Sequence, residues 1–237
     1  MNKIQRLIGR ATLAGLGFAS LGAIWLAAAN ADEAPRAVPA AVVDTKSLGP
    51  GLETAVLAGG CFWGVEGVFQ HVKGVKQVLA GYSGGSKMSA NYPMVTTELT
   101  GHAESVQIKF DPRQITYGQI LRVYFSVAHD PTQVNRQGPD SGSSYRSNIF
   151  AVNDEQAKIA RAYIAQLDKS HVFSKPIATR VDPLKGFYAA ESYHQDFLLK
   201  NPDNGYIVIN DLPKIANLKR LLPEYYRDQP VSGAKAS

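Results

Sequence analysis

The sequence predicts an α+β protein built in two layers, a sheet covered by helices. Segments of strand period alternate with segments of helical period along most of the chain. Between residues 72 and 110, however, strand patterns follow one another with no full helix between them. That argues against a fully parallel doubly wound sheet, in which every connection is a helical crossover. Nothing marks a boundary after residue 50, so a single domain is expected over 51–228, followed by a flexible tail at 229–237. The composition, 45% apolar and 19% charged, is that of an ordinary globular chain.

Each element has its own signal. TAVLAGG (54–60) is a short apolar run closed by two glycines, a buried strand and tight turn. FWGVEGVFQHVKG follows with Trp63, Val65 and Phe69 as the apolar positions of a short helix, and VKQVLAGYSGG returns to strand character. In ESVQIKF (104–110), Val106, Ile108 and Phe110 alternate with polar residues, the pattern of a half-buried strand closed by Asp111-Pro112. Thr116 and Gln119 have capping-box spacing at the head of a helix through Ile120, Tyr124 and Val127. YRSNIFAV reads as a strand. Asn153 then caps a helix whose stripe is Ile159, Tyr163, Ile164 and Leu167. ATRVD adds a strand, and AAESYHQDFLLKN and DLPKIANLKRLL add two helical segments. The long Gly-, Ser- and Tyr-rich stretches 81–103 and 128–145 are expected to be functional loops.

The N-terminus has a different logic. Lys3, Arg6 and Arg10 precede an apolar run, and Ala29-Asn30-Ala31 offers a small-x-small cleavage site. Residues 1–31 therefore read as a signal peptide, and the protein as exported, to the periplasm of a bacterium. An uncleaved membrane anchor through residues 11–29 is the alternative. Residues 32–50 mix Pro, Ala and charges and are expected to form a flexible leader. Removing residues 1–31 takes three of the 25 basic residues and none of the 20 acids, leaving a net charge of +2. Such a balance implies no nucleic-acid partner.

Cys61 is the only cysteine. An exported chain with one cysteine has no internal disulfide, so the thiol is reactive, bridges chains, or is incidental. It follows a strand and the Gly59-Gly60 turn and opens a helix, where unpaired N–H groups and the helix dipole can lower a thiol pKa. Core filling is the competing explanation, since free cysteines are among the most buried residues.

GGCFWGVE resembles the active-site signature of the A-type peptide methionine sulfoxide reductases. AGYSGG (80–85), NYPMV (91–95), TGHAESV (100–106), FDP (110–112), HDPTQVNRQGPDSGSSYRS (129–147) and AAESYHQDFLLKNP (189–202) match that family's blocks in order. The resemblance spans about residues 54 to 209. It implies a two-layer α/β sandwich with a ferredoxin-like core and extended loops. It also implies reduction of the S epimer of methionine sulfoxide, free or in oxidised proteins, through a sulfenic acid on Cys61.

By that resemblance Glu104 is the acid that protonates the departing oxygen, for which it must be buried enough to hold a proton near neutral pH. Tyr92 and Tyr145 match two tyrosines that hydrogen-bond the oxygen, and Asp140 matches a further substrate position. Phe62 and Trp63 match the wall of the methyl pocket. His102, His129 and His194 read as structural. No HExxH, CxxC or clustered ligand spacing points to a metal.

The chain departs from many family members in one respect. Ile207 stands where a resolving cysteine often sits, and no later cysteine exists. With no bound cofactor expected, recycling falls to an external thiol: a thioredoxin-like protein, a glutaredoxin-like protein or a small thiol. A monomer is expected. Two other function classes fit the lone thiol: a Cys–His hydrolase or acyltransferase, and a non-catalytic module binding Met-rich or oxidised partners through Phe62 and Trp63.

Overall fold

The computed structural model of the chain describes residues 34–45 and 51–233. The signal-peptide reading of 1–31 and the anchor alternative fall outside the described residues, as do residues 46–50 of the leader and 234–237 of the tail.

The core is a six-stranded sheet in the order β7-β6-β1-β3-β2-β8. Its strands are β1 (Glu53–Ala58), β2 (Val75–Ser83), β3 (Ala103–Phe110), β6 (Asn148–Ala151), β7 (Arg180–Pro183) and β8 (Phe187–Ala189). Only β6 and β7 pair in parallel; the other neighbours are antiparallel. That is the α+β arrangement the consecutive strand patterns predict. β1 lies between β3 and β6, and Ala55 through Ala58 are all buried, which is why TAVLA is a continuous apolar run rather than an alternating one. A separate two-stranded hairpin joins β4 (Arg136–Gln137) to β5 (Asp140–Ser141).

Helices α1 (Phe62–Gln70), α3 (Tyr117–Val123), α4 (Asp154–Lys169) and α6 (Leu212–Leu221) bury apolar faces in the main core; α2 (Tyr92–Val95) and α5 (Phe197–Lys200) are single turns. The capping box at Thr116 and Gln119 is formed with both its hydrogen bonds. Asn153 caps α4 by accepting from the Gln156 N–H at 2.8 Å. Helix α3 runs on into a π turn at Tyr124–Ala128, and a second π turn, Ile207–Asp211, precedes α6. Tyr124 there donates its hydroxyl to the Ala58 carbonyl at 2.6 Å, fastening the helix to the end of β1.

Three expectations need correction. Residues 34–45, read as flexible leader, lie extended on the domain. Val38 is fully buried, Arg122 Nε donates to its carbonyl at 2.9 Å, and Asp44 Oδ1 accepts from the Gly118 N–H at 2.7 Å at the head of α3. An extended segment held by side chains of two helices has no sequence periodicity to betray it. Residues 229–233, read as flexible tail, are also held: the Val231 N–H donates to the Gln70 carbonyl at 3.0 Å, and the Gly233 N–H to Asp196 Oδ1 at 2.6 Å. Third, of the AAESYHQDFLLKN stretch only Phe197–Lys200 is helical. Gln195 stitches its side chain to both backbone groups of Ala80, and Asp196 takes a left-handed φ of 55°, which breaks a continuous helix.

Candidate active site

The antiparallel registers bring the site together. β1 pairs with β3 through Leu57 opposite Val106, so the register continued past the end of β1 carries the chain before Cys61 toward Glu104. β6 pairs with β1 through Ala58 opposite Asn148, which puts the Ser143–Tyr145 turn at the same edge of the sheet. β2 pairs with β3 through Tyr82 opposite Glu104, so the loop carrying Tyr92 leaves from that edge too. Residues far apart in sequence therefore meet around Cys61.

Cys61 is the N-cap of α1 and is 9% exposed. Gly60 before it has φ +88°, and a Cβ there would lie 2.5 Å from Gln137 Cβ, so the turn admits glycine alone. Burial pushes the thiol well above its ordinary range, with the Glu104 and Asp211 carboxyls adding to the rise; the Trp63 backbone N–H and the Lys214 ammonium oppose it. The helix N-terminus thus acts in the expected direction but is outweighed by desolvation and two acids.

Glu104 is 4% exposed, and its Oε2 accepts from the Phe62 N–H at 3.0 Å. Burial raises its pKa to about 8, reinforced by Asp140, Glu98 and Asp211 and opposed by that hydrogen bond. A solvated strand-start Glu would behave differently: this carboxyl holds its proton at neutral pH.

Phe62 is buried, its ring 5.8 Å from Tyr82 and 5.0 Å from His194. The Trp63 indole stacks on Phe197 with centroids 3.8 Å apart and planes 12° apart, while its Nε1 donates to His194 Nδ1 at 3.1 Å. Tyr92 is seated by its backbone N–H, which donates to Glu191 Oε1 at 2.9 Å; the other Glu191 oxygen accepts from the Tyr82 hydroxyl. Burial raises the pKa of the Tyr92 and Tyr145 phenols, so both remain hydrogen-bond donors at neutral pH.

All seven residues named from the sequence, Cys61, Phe62, Trp63, Tyr92, Glu104, Asp140 and Tyr145, line one cavity of about 140 Å³. Two more complete its wall. Tyr206 donates its hydroxyl to Asp140 Oδ2 and sets its ring edge-on to Trp63. Its stretch, NGYIVIND, is informative in sequence mainly for the cysteine it lacks, which hides the tyrosine. His194 is the other, read as structural but found in the wall; burial lowers its pKa and Trp63 occupies its Nδ1. His102 staples the 85–86 turn through both ring nitrogens, and His129 is half-buried, desolvation lowering its pKa to about 3.

The arrangement offers a soft nucleophile, a protonated acid and two phenols on the oxygen side, and an aromatic wall for an apolar group. Nothing in it provides the base that a Cys–His hydrolase requires, because the basic nitrogen of His194 is already engaged by Trp63.

Residues 53–225 match the family described as peptide methionine sulfoxide reductase. The chain is 61% identical over 188 residues to a peptide methionine sulfoxide reductase MsrA of Mesorhizobium japonicum, covering 79% of this chain and 96% of that one. Its counterpart in Deinococcus radiodurans is 44% identical over 181 residues, covering 76% and 85%. Among solved structures, reduced Mxr1 of Saccharomyces cerevisiae superposes with a TM-score of 0.59 at 33% identity, covering 67% of this chain and 91% of that one. Methionine sulfoxide reductase A of Corynebacterium diphtheriae gives 0.56 at 35% identity, covering 71% and 83%. The chain belongs to the peptide methionine sulfoxide reductases of the MsrA type, oxidoreductases that return methionine sulfoxide to methionine.

Proposed function

We propose that Cys61 Sγ attacks the sulfur of the S epimer of methionine sulfoxide, free or in an oxidised protein, while Glu104 protonates the oxygen. One observation carries this reading: the chain's single thiol shares a cavity of about 140 Å³ with a carboxyl whose pKa is raised to about 8. Sulfoxide oxygen is a poor leaving group until protonated, and Glu104 has the proton to give. With Oε2 tied to the Phe62 N–H, Oε1 is the oxygen placed to carry it. Tyr92 and Tyr145 hydrogen-bond the same oxygen. As the S–O bond to substrate breaks and the oxygen passes to Sγ, the bond between Sγ and the substrate sulfur breaks too, so methionine leaves as the thioether and Cys61 is a sulfenic acid. The thiol proton replaces the one Glu104 gave, so the step is balanced.

The S epimer is the one the family resemblance implies. In this reading the methyl faces Phe62 and Trp63, the oxygen faces Glu104, and the sulfur faces Sγ.

With no second cysteine, an external thiol reduces the sulfenic acid, supplied by a thioredoxin-like protein, a glutaredoxin-like protein or a small thiol. The proposed chemistry needs no second chain, because the residues named for it line one cavity, and the protein is taken to act as a monomer. It works outside the cytoplasm, the reading supported by the basic, apolar and small-residue order of residues 1–31.

The test is pure protein with dithiothreitol and racemic N-acetylmethionine sulfoxide, followed by chiral chromatography. Loss of the S epimer alone, abolished in Cys61→Ser, is the expected result. Consumption of neither epimer would overturn the reading. Hydrolysis of an ester substrate by the wild type would restore the hydrolase alternative.

A further inference from the structure

A second, larger cavity of about 200 Å³ also reaches Cys61. It shares Cys61, Asp140 and Tyr206 with the first, but its other walls are different: Gln137, Gly138, Lys214 and Asn217 among them. None of Glu104, Tyr92 and Tyr145 borders it. Cys61 thus borders both a cavity lined by Glu104, Tyr92 and Tyr145 and one lined by none of them.

Lys214 Nζ lies 3.1 Å from Asp211 Oδ1, and the pair packs over Gly64 in the first turn of α1, where a Cβ would lie 2.0 Å from that carboxylate oxygen. Asp211 is fully buried, and its Oδ2 has no hydrogen-bond partner. A cation held by Asp211 therefore lines the larger cavity, close enough to act on the Cys61 thiol.

Resting on the proposed sulfenic acid, we infer that the larger cavity is the port through which the reducing thiol reaches Cys61. Displacement at a divalent sulfur proceeds with the attacking sulfur in line with the bond that breaks. The sulfenic oxygen originates on the Glu104 side, so the attacking thiolate must come from the other side of Sγ. Its sulfur bonds to Sγ as the S–O bond breaks, and Glu104 protonates the departing hydroxide to water. A second thiol then cleaves the mixed disulfide, so two thiols become one disulfide and Cys61 is restored. Lys214 favours the thiolate form of the incoming sulfur. A 200 Å³ space admits a small thiol, or the tip of a protein cysteine, without displacing the aromatic wall.

The experiment separates the two half-reactions. Enzyme mixed with sulfoxide and no reductant releases one methionine per chain, and glutathione or a thioredoxin-type protein is then added and the turnover followed. Asn217→Trp, which fills the larger cavity from α6, is expected to keep the first methionine at its normal rate and to slow turnover with glutathione at least tenfold. A greater loss with the thioredoxin-type protein than with glutathione marks the protein thiol as the guest, and the reverse marks the small one. In the wild type, saturating N-acetylmethionine is expected to leave sulfenic acid reduction unchanged, because the port lies outside the methyl pocket. Normal turnover by Asn217→Trp, or competition by N-acetylmethionine, overturns the port. Absence of the first methionine overturns the sulfenic acid itself, and the port with it.

Discussion

The Phe62 backbone N–H donates to Glu104 Oε2 at 3.0 Å, so the residue beside the thiol holds the carboxyl proposed to protonate the sulfoxide oxygen. The bond lowers the Glu104 pKa, yet burial prevails and sets it at about 8. In the proposed mechanism protonated Glu104 is the competent form, so formation of the first methionine is expected to be flat near neutrality and to fall as pH rises through about 8. Glu104→Gln keeps an oxygen for the Phe62 N–H but has no proton to transfer. Its first-turnover rate is expected to drop by about 10²–10⁴ and to lose the alkaline limb. Stopped-flow measurement of both proteins from pH 6 to 10 checks this; an unchanged limb in Glu104→Gln would assign it to another group.

The same carboxyl has a stability signature in a lower pH window. Its folded pKa, about 8, lies above the ordinary value of 4.5, so between those limits the folded state binds more protons than the unfolded one. Glu104 therefore contributes less stability as pH rises through that window. The melting temperature of Glu104→Gln relative to wild type should increase from pH 5 to pH 8. A constant difference across that range would mean the carboxyl is not desolvated in the folded state.

The sequence made the strands, the capped helices and seven wall residues legible because each has a local signature or a family block. Registers carry the rest: that the chain before Cys61 runs toward Glu104 is a property of strand pairing between segments some 45 residues apart in sequence, which no local pattern records. Tyr206 was hidden for a related reason. It reaches the site from the π turn before α6, and its partner is Asp140 on a two-residue strand too short to have a period. The 34–45 segment was misread because Pro and Ala in sequence look alike whether solvated or held by Arg122 and Tyr163.

Trp63 owes its orientation to Phe197, stacked at 3.8 Å, and to His194 Nδ1, which accepts from its indole. Trp63→Ala removes a wall of the proposed methyl pocket and is expected to lower kcat/KM by about ten- to two-hundredfold, the range for a lost apolar contact of methyl size. Phe197→Ala leaves Trp63 in place without its stacking partner, so a smaller loss, concentrated in KM, is expected. Steady-state kinetics on N-acetylmethionine sulfoxide distinguish the two. Equal losses would mean Phe197 lines the pocket in its own right.

The segment 34–45 should be worth measurable stability. Val38 is fully buried beneath it, and burying a Val side chain contributes about 1.5–3 kcal/mol. Asp44 accepts hydrogen bonds from Thr116 Oγ1 and the Gly118 N–H, acting as a second cap on α3 beside Thr116 itself. Loss of a cap costs about 0.5–2 kcal/mol. Asp44→Ala and Val38→Ala are both expected to lower the urea midpoint, with Val38→Ala also lowering the melting temperature by several degrees. Neither residue lines the 140 Å³ cavity, so first-turnover rates should stay at the wild-type level. A variant starting at residue 46 should show both losses, since Val38 contributes by burial and Asp44 by capping α3. If that shortened protein melts with the full-length one, the strap lies on the domain without stabilising it.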